Sequence, residues 1–319
     1  MQEDNNSIPF VTEDELKPEL QQGGLIKEIK DKVMPGTDAM SKLARKEYRK
    51  DGDLSPCEIR DNFSDVLQDL MRLETSIYYD KETKVKKAIF SDFFDDYYHR
   101  DDLDEYRNIQ RVIHRVESQY EQADDFQTFF PNASTQLLSL MAPIEDSISQ
   151  GRKTRVGSML ENHLEWLLQE LGYPVETQID FEEGSSKIDI VMPNKKTFEK
   201  SPENAIFLPC QTTFKDRHRL TLSKLPSGER YEPVEKLIAT AGGVNLITDS
   251  DDDDLTDEKI NEINKEGYKL LVFNEVKEEY PDEEGIVSYN QFINNYLPED
   301  VKDWDIEGEY NTKISNYET

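Results

Sequence analysis

Asp189 stands inside the run Lys187 to Pro193, "KIDIVMP", with isoleucine on either side. The pattern predicts a short strand ended by proline. A carboxylate in such a strand is costly to bury unless it binds something, so Asp189 is the first candidate for chemistry. The next strand candidate, residues 205–213, "AIFLPCQTT", runs directly into "FKDRHR". If these strands are neighbours, Asp189 lies close to the segment 209–215. The plain alternative is an acid at a strand end that faces solvent.

The same segment opens a positive island in a negative chain. From Gln211 to Arg230 there are five basic residues, Lys215, Arg217, Arg219, Lys224 and Arg230, against two acids, Asp216 and Glu229. A second island, "GRKTR", holds Arg152, Lys153 and Arg155. Both are expected to face phosphates, the second with a solvated linker as its alternative. Other candidates are weaker. His218 beside Arg217 reads as a phosphate or solvent contact before a catalytic base. "AGG" at 241–243 precedes a strand pattern and does not open a helix, so it is no phosphate loop. "DSDDDD" lacks the glycine and closing glutamate of a calcium loop.

Residues 1–50 are polar and little periodic, and are expected to form a loosely ordered arm or short helices. "SPCE" then offers Ser55 as N-cap, Pro56 at the first helical position and Glu58 to close a capping box. Ile59, Phe63, Val66, Leu67, Leu70 and Leu73 follow at helical spacing. A second helix is buried through Ile109, Val112, Ile113 and Val116, and a further helical segment covers 133–150. Residues 51–149 therefore read as a helical domain.

A boundary is expected near Gln150, where "GRKTRVG" intervenes. Beyond it, "SMLENHLEWLLQEL" is an amphipathic helix ended by Gly172. Strand patterns follow in "YPVETQI", "KIDIVMP", "AIFLPCQTT", "GGVNLITD" and "YKLLVFN". Helical patterns lie in "KDRHRLTLSKL", "TDEKINEINKEG" (Thr256 as N-cap, Gly267 after the end) and "SYNQFINNYL". The order predicts an α/β domain over 150–319, a mixed central sheet with helices on both faces.

The strand pair, preceded by a helix bearing Glu161, resembles the core of PD-(D/E)xK nucleases. The flanks sharpen this. The run from Arg152 to Glu161 has the form Arg-x-x-Arg-x-Gly-x-x-Leu-Glu, Asp189 lies in a strand, and "QTTFKDRHR" departs at one position from Lys-Thr-Thr-x-Lys-Asp-Arg-x-Arg. Over residues 150–298 the chain is similar to the catalytic domain of EcoRII-type restriction endonucleases; residues before that show no such likeness. The resemblance implies Mg²⁺ held by Asp189 and by one further acid, for which Glu161 is the candidate. It implies that Gln211 occupies the place of a catalytic lysine, and that Lys215, Asp216 and Arg217 read C·G pairs. Lys or Arg can donate to guanine while Asp accepts from cytosine, so one triplet can read both bases of a pair. A glutamate of the family stands about three helical turns beyond the lysine, and the same distance from Gln211 reaches Lys224. The expectation is that the ammonium has migrated to Lys224. The alternative is decayed catalysis.

Composition bounds these readings. With 319 residues a full core is possible, and two distant cysteines, Cys57 and Cys210, exclude a disulfide framework or a Cys-rich zinc site. His99, His114, His163 and His218 show no metal-ligand spacing. No run of 18 apolar residues and no secretory signal is seen, so a cytoplasmic protein without a membrane span is expected. The formal net charge is −30. Either a high-salt cytosol or a polycationic partner would explain it; salt is favoured because the acids are scattered over the chain. The resemblance implies a type II restriction endonuclease, a homodimer on double-stranded DNA, cutting with Mg²⁺ at a site containing CC and GG. A catalytically silent DNA-binding protein of the same fold and an acidic protein-interaction factor are the alternatives.

Overall fold

The computed structural model describes residues 11–22, 25–52, 54–92, 107–180, 187–211, 234–241 and 255–297. They fall into two compact units, residues 1–36 with 77–155, and residues 37–76 with 156–319. Two long helices, α5 (Phe63–Asp92) and α7 (Phe126–Glu170), contribute residues to both units.

The first unit is helical in its described residues. Its helices are α1 (Glu13–Lys17), α2 (Leu25–Val33), the later part of α5 (Phe63–Asp92), α6 (Arg107–Gln122) and the earlier part of α7 (Phe126–Glu170). Leu16, Leu20, Ile26, Ile29, Val85, Ile109, Val112, Ile113, Ile144 and Ile148 are buried. Glu19 shows why the arm folds. Its buried carboxylate accepts the Asn108 and Ile109 N–H groups, both at 2.9 Å, and so caps the start of α6. Nothing local in the sequence marks that pairing of residues 89 and 90 positions apart.

The second unit holds α3 (Thr37–Tyr48), α4 (Pro56–Asp61), the start of α5, the end of α7, and then a seven-stranded mixed sheet with short helices between strands. The strands are β1 (Glu176–Ile179), β2 (Ile188–Met192), β3 (Ile206–Leu208), β4 (Cys210–Gln211), β5 (Glu235–Thr240), β6 (Lys269–Val272) and β7 (Ile286–Ser288). The order is β1-β2-β3-β5-β6-β7, with β4 on β5. The β1–β2 and β2–β3 pairs are antiparallel, and β3–β5, β5–β6 and β6–β7 are parallel. Helices α8 (Lys195–Lys200), α9 (Asp257–Lys265), α10 (Asn274–Glu279) and α11 (Tyr289–Gln291, continued by a π turn to Tyr296) complete it. Phe63, Leu67, Leu70, Leu160, Leu164, Leu167 and Leu168 pack with Ile188, Ile190, Phe207, Leu237, Leu270 and Phe292 in one core. The predicted mixed sheet flanked by helices, behind a mainly helical N-terminal region, is the architecture found.

Local chemistry explains much of this. Ser55 Oγ accepts the Glu58 N–H and Glu58 Oε2 accepts the Ser55 N–H at 2.8 Å, the expected capping box. Thr256 caps α9, and Gly267 follows it with φ +78°. Three features differ from the sequence reading. The helix from Ser55 breaks at Asn62 into α4 and α5. "GRKTRVG" does not interrupt: α7 runs through it without a break. A side chain at Gly151 would meet Lys30 Nζ and Tyr78 Oη only at ordinary van der Waals distance, 3.7 and 3.6 Å, so this glycine neither breaks the helix nor is demanded by crowding. Finally, β5 is "EKLIAT", just before the expected strand "GGVNLITD", and β7, α8 and α10 were not anticipated. Residues 242–249 and the expected helix "KDRHRLTLSKL" lie outside the described residues.

Candidate active site

The site lies where α7, β1, β2 and β4 converge within the second unit. The β2–β3 ladder pairs Ile190 with Leu208, which puts Asp189 opposite Pro209. Proline has no N–H, so the ladder cannot continue, and the chain passes to β4, which pairs with β5 instead. The Cys210 N–H, freed from the β2–β3 ladder, donates to Asp189 Oδ2 at 2.7 Å. The strand crossing that the sequence suggested for Asp189 and 209–215 is therefore present at Cys210.

Glu161 reaches the same point from α7. The side-chain amide of Gln178 on β1 donates to Glu161 Oε1 at 2.7 Å and to Asp189 Oδ1 at 3.2 Å. Two carboxylates are thus held on one nitrogen. Burial raises the Asp189 pKa above the ordinary carboxylate range, against the lowering effect of the Cys210 and Gln178 hydrogen bonds. Burial also raises that of Glu161; Gln178 lowers it, and the charges of Asp189 and Glu165 raise it further. The thiol of Cys210 is pushed far up by burial and by the same two carboxylates, which makes it inert as a nucleophile.

Gln211 follows Cys210 on β4, where its register partner is Thr240. Its Oε1 is buried and has no hydrogen-bond partner among the described residues. The Thr240 carbonyl accepts the Tyr289 hydroxyl at 3.0 Å, which ties this part of the sheet to α11.

Of the residues singled out in the sequence, Glu161 and Asp189 are brought together, and Gln211 follows the Cys210 that binds Asp189. Lys215, Asp216, Arg217, His218, Arg219 and Lys224 lie outside the described residues. Arg152 and Arg155 belong to the first unit. Arg152 binds the buried Glu82 through two nitrogens, with Nε at 2.7 Å, and Arg155 donates to the Pro35 carbonyl at 2.8 Å. Their guanidiniums also lie over the rings of Tyr79 and Tyr78. The sequence reading missed Gln178. The β1–β2 register, once known, would have found it, because it sets Gln178 opposite Asp189.

The donor set suits a hard divalent cation. The two carboxylates are oxygen ligands, and Mg²⁺ commonly takes one or two protein carboxylates together with substrate phosphate. Among the described residues, no group of three or more His, Cys, Asp or Glu is placed to hold a metal ion.

A mixed sheet of this order, with two carboxylates meeting at the break between β3 and β4, defines a restriction-endonuclease-like fold. Two structures of Ecl18kI, both metal-depleted, one in complex with uncleaved DNA and one with uncleaved, modified DNA, share it with TM-scores of 0.68 and 0.63. Each is 16% identical to this chain; the matches cover 95% and 96% of this chain, and 91% and 90% of the Ecl18kI chain. The family described as EcoRII C terminal matches residues 116–293, more than half of the sequence, and the chain belongs to that family. It is 28% identical over 142 residues to the type II restriction enzyme EcoRII of Escherichia coli, a match covering 44% of this chain and 31% of that enzyme. Among the described residues, no helix is long and apolar enough to cross a membrane.

Proposed function

We propose that this protein is a type II restriction endonuclease that cuts both strands of DNA with Mg²⁺. The observation that carries the reading is the pairing of Glu161 and Asp189 on a restriction-endonuclease-like fold. The relatives named above, a restriction enzyme and a protein captured on DNA, support the substrate class.

Glu161 and Asp189 would hold the cation. When bound, Mg²⁺ supplies charge stabilisation at the scissile phosphate and lowers the pKa of water. The chain's own part is to present the carboxylates ionised and aligned. The Cys210 N–H fixes one oxygen of Asp189, and the backbone break at Pro209 provides that donor. Gln211 can neither carry charge nor deliver a proton, so a cationic role at the site falls to Lys224. Lys215, Asp216 and Arg217 would read C·G pairs in the major groove, at a site containing CC and GG, and Arg219 would contact phosphate. Arg152 and Arg155 have internal partners and would have to exchange them to reach DNA. A homodimer would present one active site to each strand of a palindromic target.

The test is cleavage of mixed plasmid DNA with Mg²⁺, mapped by end sequencing. Defined fragments whose ends share C·G pairs are expected from the wild type. Arg217→Ala should relax the site, each lost bidentate contact reducing discrimination by about 1–3 kcal/mol. Asp189→Ala should bind DNA without cutting it. Full cleavage by Asp189→Ala would remove Asp189 from the site, and fragments without shared C·G pairs would end the CC/GG assignment.

A further inference from the structure

Gln178 is the residue of this site that neither the motif nor the family resemblance marks. We propose that it is a placeholder for the cation: its amide nitrogen occupies the position between Glu161 and Asp189 while no cation is bound, and leaves it when one binds. This rests on the two-carboxylate cation reading above.

Three observations support it. The first is register. Thr177 pairs with Ile190 and Ile179 with Ile188, so Gln178 stands opposite Asp189. The second is backbone conformation. Among the described residues Gln178 is the non-glycine residue with positive φ, at 55°. L side chains rarely adopt that region, and such outliers gather at functional sites. The third is bonding. Nε2 gives its hydrogens to Glu161 Oε1 at 2.7 Å and Asp189 Oδ1 at 3.2 Å. Both acceptors are carboxylates, and the nitrogen bridges them as a divalent ion would.

The choice of glutamine fits temporary occupation. An amide carries only partial positive charge on its hydrogens, so a divalent cation can outcompete it. Lysine or arginine in its place would hold the carboxylates as a salt bridge and close the site to metal. Gln178 is also exposed, so its side chain can move into water without opening a cavity. Its amide oxygen can then face the cation or the solvent.

The experiment is calorimetric titration of Mn²⁺ into the full chain without DNA, with melting curves taken in chelator and in saturating Mn²⁺. The proteins compared are wild type, Asp189→Ala, Gln178→Ala, Gln178→Glu and Gln178→Gly. Gln178→Ala is expected to bind Mn²⁺ about tenfold more tightly than wild type, because the ion no longer displaces two hydrogen bonds. Tenfold corresponds to about 1.4 kcal/mol. The same variant should melt lower than wild type in chelator, with the gap closing in Mn²⁺. Gln178→Glu keeps the chain length, replaces the donor by a third carboxylate, and should shift both readouts further. Gln178→Gly relieves the backbone and should match Gln178→Ala in affinity.

Unchanged or weaker Mn²⁺ binding by both Gln178→Ala and Gln178→Glu would overturn the proposal. So would tighter binding by Gln178→Gly alone, which would assign the effect to the backbone. If Asp189→Ala loses Mn²⁺ binding while the Gln178 variants bind like wild type, the placeholder falls and the cation site stands. If wild type and Asp189→Ala titrate alike, the cation reading fails and takes the placeholder with it. Should Gln178→Ala not fold, Gln178→Glu and Gln178→Gly give the same comparison.

Discussion

Asp189 and Cys210 are joined across a break in the sheet, the Cys210 N–H donating to Asp189 Oδ2 at 2.7 Å. The acceptor is required; the charge is costly, because burial raises the Asp189 pKa. Asparagine can keep the acceptor for Cys210 and lose the charge, provided the Gln178 amide turns its oxygen to the new nitrogen. Asp189→Asn is therefore expected to stabilise the cation-free protein at neutral pH, by about 0.5–2 kcal/mol, while abolishing cleavage. Urea unfolding in chelator measures the first effect; a midpoint below that of wild type would contradict it.

The raised pKa values of Glu161 and Asp189 give a direction for pH dependence. In the cation-free protein the folded state holds these protons more tightly than the unfolded one. Their contribution to stability is therefore favourable at low pH and is lost as pH rises through the raised values. Cation binding needs both groups ionised, so it runs the opposite way. Mg²⁺-dependent cleavage should show an acid limb above the range of ordinary carboxylates, and Mn²⁺ affinity should fall over the same interval. A limb at the pH of exposed carboxylates would contradict this.

Arg152 is expected to matter for folding before it matters for DNA. Glu82 is buried, and its partners Arg152 and Lys86 override the raising effect of burial to hold its pKa below the ordinary value. This pair contributes stability above the unfolded glutamate pKa, and the contribution is lost as pH falls through the depressed folded value. Arg152→Ala should cost about 1–3 kcal/mol at pH 7. Glu82→Gln with Arg152→Ala should recover part of it. Unfolding curves of the single and double variants at pH 7 decide, and no loss in the single variant would show that Lys86 suffices.

The migrated-ammonium proposal gives a reciprocal pair of variants. Lys224→Ala should lower the single-turnover cleavage rate by about two orders of magnitude or more, the scale of losing one charge-stabilising group. Gln211→Lys combined with Lys224→Glu should retain measurable activity. An undiminished rate in Lys224→Ala would remove Lys224 from the reaction.

The net charge of −30 sets an expectation for salt. Counterion release, which drives ordinary DNA affinity, fades as salt rises, while the repulsion between an acidic protein and DNA is screened. Specific-site affinity should hold or improve as potassium chloride rises toward about 2 M, where the Debye length is only a few ångström. A steep monotonic loss, with best activity at the lowest salt, would argue for a polycationic partner as the reason for the acidity.

Where one residue's chemistry dictates its surroundings, the sequence was enough. Ser55, Pro56 and Glu58 specify a helix start through their own hydrogen bonds, and Thr256 and Gly267 bracket α9 in the same way. Asp189 was legible because a carboxylate between isoleucines conflicts with its neighbours, and conflict marks sites. The strand β5 was not legible: "EKLIAT" begins with two charged residues, and its burial comes from being paired with β3, β4 and β6.

Sequence alone determined the α/β class and the family resemblance, and it singled out the two carboxylates that the fold brings together, because these depend on residue type, spacing and local hydrogen bonding. Only the tertiary structure decided what those residues touch. That Gln178 bridges Glu161 and Asp189 depends on a β1–β2 register and a left-handed backbone at one position. That Arg152 meets Glu82, 70 positions away, depends on two long helices lying side by side within the first unit. Pairings of this kind are set by how apolar faces pack over long separations, and a run of residue types does not record them.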